Sequence, residues 1–409
     1  MPEINGERVL ADLRALRALA PYESGVHRPT LSPAHIASLT WLVGQLGAIG
    51  HETQIDGIAN VFGISKASGA KLIGGSHLES QNHAGWLDGP LGVVYALEAA
   101  RAIHADPGFA GRAVDVIACC DEEGHFGSFL GSRSALGDVD EAAIDAAADR
   151  TNGTSLRAAL AAAGLAGKPR HRIDPKRYVG FLEAHIEQGD WLEASDLRLG
   201  VVTRIVGIRQ YLLVVAGVQN HAGTTRMAIR KDAGVALSRM AVAIADTFPG
   251  IAGERTVWTA GRITLDPGAP SVIPGGAEMV FQMRDPENEV LDRLEARLHD
   301  IVAEADRNGP CRAHVVQTRR TEPAAMAPHF MAAVRDAAEA HVPGRHVDMP
   351  SGAGHDAMVF AGHMPSGMLF VPSIGGISHH WTEDTSDEDI VMGARVYVDA
   401  AARLLKAAR

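Results

Sequence analysis

The chain of 409 residues has little cysteine: Cys119 and Cys120 are adjacent, and Cys311 stands far off. That spacing excludes a disulfide scaffold and points to reduced, packed thiols. Long apolar runs are missing too. No stretch approaches the roughly 18 apolar residues of a membrane-spanning helix. The opening segment, MPEINGERVLADLRAL, has no apolar signal core, so the cytoplasm is the expected location. Positive charge is in deficit, with 38 Lys and Arg against 49 Asp and Glu, a net charge of −11. An acidic chain with no basic cluster is not built to hold nucleic acid or an anionic membrane. GGSHLES (74–80), after an apolar run, is not a glycine-rich phosphate turn, which argues against a dinucleotide-binding oxidoreductase.

What remains is a globular composition, 46% hydrophobic and 21% charged, with 19 histidines. The length suits two domains. With so few thiols, any metal would have to be held by imidazole and carboxylate. Leu10, Leu13, Leu16 and Leu19 predict a helix over about 7–20, and Ser32-Pro33 starts another that runs to about Leu46. Buried strands at 71–77, 113–124 and 177–189 alternate with a helix at 88–103 and an Ala-rich helix pair near 140–166. This alternation predicts an α/β layered domain with a largely parallel sheet. From about 207 the order becomes strand, helix, two strands, helix, strand, which predicts an inserted α+β unit with a four-stranded sheet and two helices. Its helix at 287–309 carries Leu291, Leu294, Leu298, Ile301 and Ala305 on one face. The α/β texture returns with a helix near 328–341, a strand at 366–373 and a terminal helix from about Asp387 to Ala407. The expected domains are therefore 1–206 plus 326–409, and 207–325.

Polar residues follow the apolar strands in a repeated way. His77 ends KLIGGSH, Asp121, Glu122 and Glu123 follow VIACC, His185 lies in YVGFLEAHI, and His379 comes after MLFVPSIGGIS. The carboxyl ends of parallel strands share one edge of a sheet, where ligands bind. One histidine after a strand is most often a capped or solvated residue; four strand ends with His or acid point to a metal site. Asp88 opens the next helix, where its carboxylate can bridge two metals. Of the neighbours Glu122 and Glu123, one can bind metal while the other takes a proton from an activated water and passes it to a leaving amine.

Six motifs then carry a resemblance: GSHLESQNHAGWLDGPLGV (75–93), DEEGHFGS (121–128), EAHIEQG (183–189), NHAGTTRM (220–227), SGAGHDAM (351–358) and GGISHHWTED (375–384). In this order they resemble the binuclear metal amidohydrolases of the aminoacylase/carboxypeptidase superfamily. The nearest branch is the hydantoinase/carbamoylase group of N-carbamoyl-L-amino acid hydrolases, β-ureidopropionases and allantoate amidohydrolases. The resemblance implies a zinc-peptidase-like α/β catalytic domain interrupted by a lid and dimerisation domain, hence a homodimer. It also implies two divalent metal ions per subunit, zinc, manganese, cobalt or nickel. His77, Asp88 and His185 would hold one, and Asp88, Glu123 and His379 the other, with Glu122 as general base and then acid. Gln188 would face the substrate. His221, which can reach the partner's site, would polarise the scissile carbonyl, and Arg284 would bind the substrate carboxylate. The implied substrate is a small ureido or amide compound with a carboxylate, such as an N-carbamoyl amino acid. Allantoate, ureidoglycolate and N-acyl amino acids are the alternatives, and an inactive metal-bearing binding protein is the reading from another class.

This sequence departs from the family pattern in places. Glu79 stands where the family has Asp, one methylene longer. Ser271 replaces the Asn of Asn-x-Ile-Pro, which touches the substrate carboxylate. Arg226 and Trp381 replace prolines, and Trp86 replaces a smaller or charged residue. Arg226, with Trp86 or Trp381 as an apolar wall, would select an unusual acyl or amino-acid part. His83 and His125 read as rim or solvated residues, and His355 as a group that supports the ligands.

Overall fold

A computed structural model describes residues 2–408. They divide into two compact units, one running up to Thr203 and again from Ala325, the other Arg204–Ala324. Among the described residues no helix is long and apolar enough to cross a membrane.

The larger unit is built on one mixed sheet. Four central strands run parallel, in the spatial order Ser366–Val371, Phe181–Ile186, Lys71–His77, Ala113–Cys119. All four are buried from end to end, as a sheet covered on both faces requires. Helix Pro90–Ala105 crosses over between Lys71–His77 and Ala113–Cys119. Nearly every one of its residues is buried, because it packs against the sheet and against helices Gly6–Ala18 and Asp387–Ala407. The Ser32 start signal holds, since Ser32 Oγ accepts the His35 N–H at 3.2 Å; Ser386 Oγ caps the terminal helix in the same way, accepting the Asp389 N–H at 3.0 Å.

The sheet is less parallel than the sequence suggested. Leu199–Ile205 pairs antiparallel with Ser366–Val371 on one flank, and Val61–Ile64 pairs antiparallel with Ala113–Cys119 on the other, followed by Glu52–Ile55. These flanking strands, and His346–Ser351 beside Leu199–Ile205, escaped the sequence reading. Glu52–Ile55 and Val61–Ile64 have only four residues each, too few for a pattern.

The smaller unit is a four-stranded antiparallel sheet, Val257–Asp266, Gly276–Asp285, Gly207–Ala216 and Arg312–Thr321 in spatial order. Helices Ala233–Thr247 and Asn288–Asn308 share a core with the inward side chains of its strands. Leu291, Leu294, Leu298 and Ile301 are buried as their spacing predicted, and Tyr211, Met279 and Phe281 receive them. The fold is thus an α/β domain with a mixed sheet and a separate small antiparallel domain.

Candidate active site

The parallel alignment explains why residues remote in sequence meet. His77 lies beside Cys119 in register, and His185 beside Phe370, so the carboxyl ends of the four strands share one edge. The chain leaves that edge by tight turns. Asp121 sits at φ +63° and His379 at φ +56°. The Asp121 carboxylate accepts the N–H groups of His125 at 2.7 Å, Phe126 at 3.0 Å and Gly127 at 2.7 Å, and the Thr30 hydroxyl at 3.0 Å. This closes the loop that carries Glu122 and Glu123. Gly89, at φ +84°, is equally specific: a Cβ there would lie 2.5 Å from the His77 ring. Only glycine lets the chain turn from Asp88 into the helix against that imidazole.

Two candidate metal-ligand triads result, sharing one carboxylate. His77, Asp88 and His185 offer ligand atoms within 4.8 Å of one another, and so do Asp88, Glu123 and His379. His185 Nε2 is 3.0 Å and His77 Nε2 3.4 Å from Asp88 Oδ1. On the other side His379 Nε2 is 3.4 Å from Asp88 Oδ2 and 3.6 Å from Glu123 Oε2. His77, Asp88, His185 and Glu123 are buried, while half of the His379 side chain is exposed.

The imidazole tautomers can be read from their far sides. His77 Nδ1 bonds the Glu79 carbonyl at 3.0 Å, and His185 Nδ1 the Ile186 carbonyl at 2.9 Å. A carbonyl only accepts, so each Nδ1 carries hydrogen, and in the neutral ring each Nε2 presents a lone pair to a carboxylate oxygen. Two lone pairs facing one another repel unless a proton or a metal ion lies between them. His77 Nε2 is buried with no hydrogen-bond partner among the described residues. These donors fit divalent metal, with main-chain carbonyls orienting the rings from behind.

The protonation balance has the same cause. Burial works against charge on His77, but Asp88, Glu122 and Glu79 outweigh it and hold the ring well above the usual imidazole range. Burial pushes Asp88 up, yet the imidazoles of His185, then His379 and His77, hold it well below the carboxylate range. The bond to Asp88 raises His379 to about 9. The cluster therefore attracts positive charge, as protons or as metal. Glu122 Oε2 lies 3.7 Å from His77 Nε2, with its side chain only 10% exposed. Burial, opposed by His77 and reinforced by Glu123, pushes Glu122 well above the ordinary carboxylate range. That is the direction a proton shuttle needs.

Around the triads lie polar groups that sequence reasoning did not single out. Gln81 donates through Nε2 to Glu123 Oε2 at 2.7 Å and through its N–H to Oε1 at 3.0 Å. Glu383 accepts the Asp88 N–H at 3.1 Å and the Ser378 hydroxyl at 3.1 Å. All three lie within quoted motifs, but nothing in spacing alone separates them from surface residues. Gln188, expected to face substrate, donates to Asp88 Oδ2 at 3.0 Å and sits 3.3 Å from His379 Nε2, so its amide lies among the ligands. His355 bonds Ser351 Oγ at 2.9 Å with its ring 4.6 Å from that of His185.

Two expectations need correction. His125 is not solvated; it is buried, with Nδ1 3.0 Å from the Thr30 hydroxyl. Trp86 forms no wall of the site, because it is 4% exposed within the core under the Arg17 guanidinium. His380, the neighbour of His379, stacks on Trp381 at 3.9 Å between ring centres and bonds Thr382.

His221, Ser271 and Arg284 belong to the smaller unit. His221 lies on a two-residue strand paired in register with Val272, and its neighbour Ala222 donates to the Ser271 carbonyl at 2.9 Å. His221 Nδ1 accepts the N–H groups of Gly223 at 3.1 Å and Thr224 at 3.2 Å, which leaves the hydrogen on the exposed Nε2 edge. Half-buried Arg284 donates through Nε to Gln282 Oε1 at 2.8 Å. Its pKa is lowered by burial and by Arg319. Arg226 is exposed.

Comparison with known proteins agrees with this geometry. The chain is similar to an N-carbamoyl-L-amino-acid amidohydrolase of Paenarthrobacter aurescens, 35% identical over 417 residues covering 100% of this chain and 99% of that protein. It is 34% identical over 379 residues, 88% of each chain, to an allantoate amidohydrolase of Bacillus subtilis (strain 168). A crystal structure of a hydantoinase/carbamoylase family amidase from Burkholderia phymatum superposes with TM-score 0.92 at 45% identity, covering 100% of both chains. Residues 71–403 match Peptidase family M20/M25/M40, and the chain belongs to that family of metal-dependent hydrolases.

Proposed function

We propose that the chain is an amidohydrolase using two divalent metal ions, and that it cleaves the ureido C–N bond of an N-carbamoyl-L-amino acid or a related small ureido compound bearing a carboxylate. One observation carries the reading: two ligand triads share Asp88, with Glu122 3.7 Å from His77. His77, Asp88 and His185 would hold one ion, and Asp88, Glu123 and His379 the other. Zinc, manganese, cobalt and nickel all suit imidazole and carboxylate. Such ions, when bound, acidify a water and polarise a carbonyl.

The remaining work falls to this chain's own groups. Glu122 takes the proton of the attacking water at a carboxylate oxygen and delivers it to the leaving nitrogen. His221 offers its Nε2 hydrogen to the oxygen on which negative charge develops. Arg284 meets the substrate carboxylate with paired donors. Ser271 supplies one further hydrogen bond where an amide would supply more. The carbamic acid released from an N-carbamoyl substrate breaks down to ammonia and carbon dioxide, leaving the free amine.

The smaller unit is the lid and dimerisation domain of a homodimer. Support comes from its edge strand Val257–Asp266, exposed along nearly all its length with Val257 and Ile263 each 55% exposed, and from Val242, 59% exposed on the neighbouring helix. Unpaired Cys119, Cys120 and Cys311 suit a cytoplasmic setting.

The test is a substrate panel with defined metal: N-carbamoyl-L-amino acids, allantoate, ureidoglycolate and N-acetyl amino acids. Ammonia with carbon dioxide from a ureido substrate supports the reading. Release of a carboxylic acid from N-acetyl substrates alone refutes it.

A further inference from the structure

Glu79 has a place that its neighbour His77 does not explain. The ring of His77 is held by the main-chain carbonyl of Glu79, at 3.0 Å, while the nearer carboxylate oxygen is 3.8 Å from Nδ1. That oxygen, Oε1, accepts the backbone N–H of Glu122 at 2.7 Å. The other, Oε2, is 3.5 Å from His35 Nε2. His35 Nδ1 accepts the Leu31 N–H at 3.0 Å, so the hydrogen of the neutral ring is on Nε2, facing Glu79. His35 and Glu79 are both fully buried.

The chain on either side of Glu79 is clamped by one buried arginine. Arg28 donates through Nε to the Leu78 carbonyl, its carbonyl accepts the Ser80 N–H at 2.9 Å, and its own N–H reaches Ser80 Oγ at 3.1 Å. Nη1 bonds the Leu16 carbonyl at 2.9 Å, which ties the clamp to helix Gly6–Ala18. Glu79 therefore cannot retreat along its own backbone, and its side chain spans the gap to the Glu122 loop. Aspartate, one methylene shorter, would not reach.

We propose that Glu79, clamped by Arg28 and faced by His35, is the positioning residue of the proton shuttle. It sets the place of Glu122, and it fixes His77 only through its main chain. The assignment rests on the reading of Glu122 as general base. A misplacement of about 1 Å at such a group costs on the order of 100-fold.

The experiment is a double-mutant cycle of Glu79→Asp and Glu122→Gln in the metal-loaded enzyme, together with a crystal structure of Glu79→Asp. Glu79→Asp is expected to lower kcat by about 10–100-fold with KM within a factor of about two and metal stoichiometry unchanged. In the Glu122→Gln background the same change should cost nothing further, because residues acting as a unit are not additive. The crystal structure should show the Glu122 carboxylate displaced while the His77 ring stays. Additive losses, loss of metal in Glu79→Asp, or an unmoved Glu122 would each overturn the inference. A wild-type enzyme inert on every ureido substrate would refute the functional reading instead, and the position of Glu122 in the Glu79→Asp crystal would still decide this one.

Discussion

Replacing Gly89 by alanine isolates the part of the account that depends on backbone geometry. Gly89 sits at φ +84°, ψ −58°, a region that costs a residue with a side chain about 1–3 kcal/mol. The added Cβ would lie 2.5 Å from Cε1 and Nδ1 of His77, and reaching ordinary contact at 3.4 Å requires a shift of 0.9 Å. The His77 ring has nowhere to go, since it is 1% exposed and its Nδ1 is bonded to the Glu79 carbonyl. Breaking that bond adds about 1 kcal/mol. The expected cost is therefore about 2–4 kcal/mol. That corresponds to a fall in Tm of roughly 3–7 °C for a domain of this size, with weakened metal binding because the ring that shifts is a proposed ligand. Gly111→Ala is the control, for Gly111 has φ +79° with nothing within 4 Å of its Cβ position. It should show the backbone cost alone and bind metal normally. Calorimetry with and without added metal makes the comparison. Equal Tm losses for the two variants, with equal metal affinity, would refute the reasoning.

Two further predictions concern other parts of the molecule. Burial, helped by Arg28, lowers His35 to about 3, below the roughly 6.5 of a free imidazole. Between those values the unfolded chain binds a proton that the folded chain does not. His35 thus contributes stability that is present above pH about 6.5 and lost towards pH 3. Chemical denaturation of His35→Gln should show a shallower loss between pH 6 and 4, by up to about 1.4 kcal/mol per pH unit, and an unchanged slope would contradict it. Arg284→Lys should raise KM about tenfold or more at nearly constant kcat on carboxylate substrates, whereas a fall in kcat alone would place Arg284 elsewhere.

Much of this site could be read from the sequence, for a physical reason. Ligands at the ends of buried parallel strands leave an apolar run followed by His or acid, as at His77 and at Asp121 to Glu123, and that pattern survives without a structure. The outer strands Val61–Ile64 and Glu52–Ile55 did not show, because four residues carry no period. Neither did the supporting shell. Gln81, Ser378 and Glu383 look like surface residues until the loops fold back on Asp88 and Glu123. Trp86 misled because sequence gives residue type without burial, and its helix-facing environment closes over it. The substitution of Glu for Asp at residue 79 was visible, but its consequence was not, since it depends on the 2.7 Å approach of the Glu122 N–H.

The central claim is that a buried carboxylate moves the proton beside two metal-ligand triads. Glu122→Gln tests it most directly, measured as metal content and as turnover of an N-carbamoyl-L-amino acid on the same preparation. The expected result is two ions per subunit as in the wild type, with kcat lower by about 100- to 10,000-fold. Near-normal turnover in a metal-loaded Glu122→Gln enzyme would contradict it.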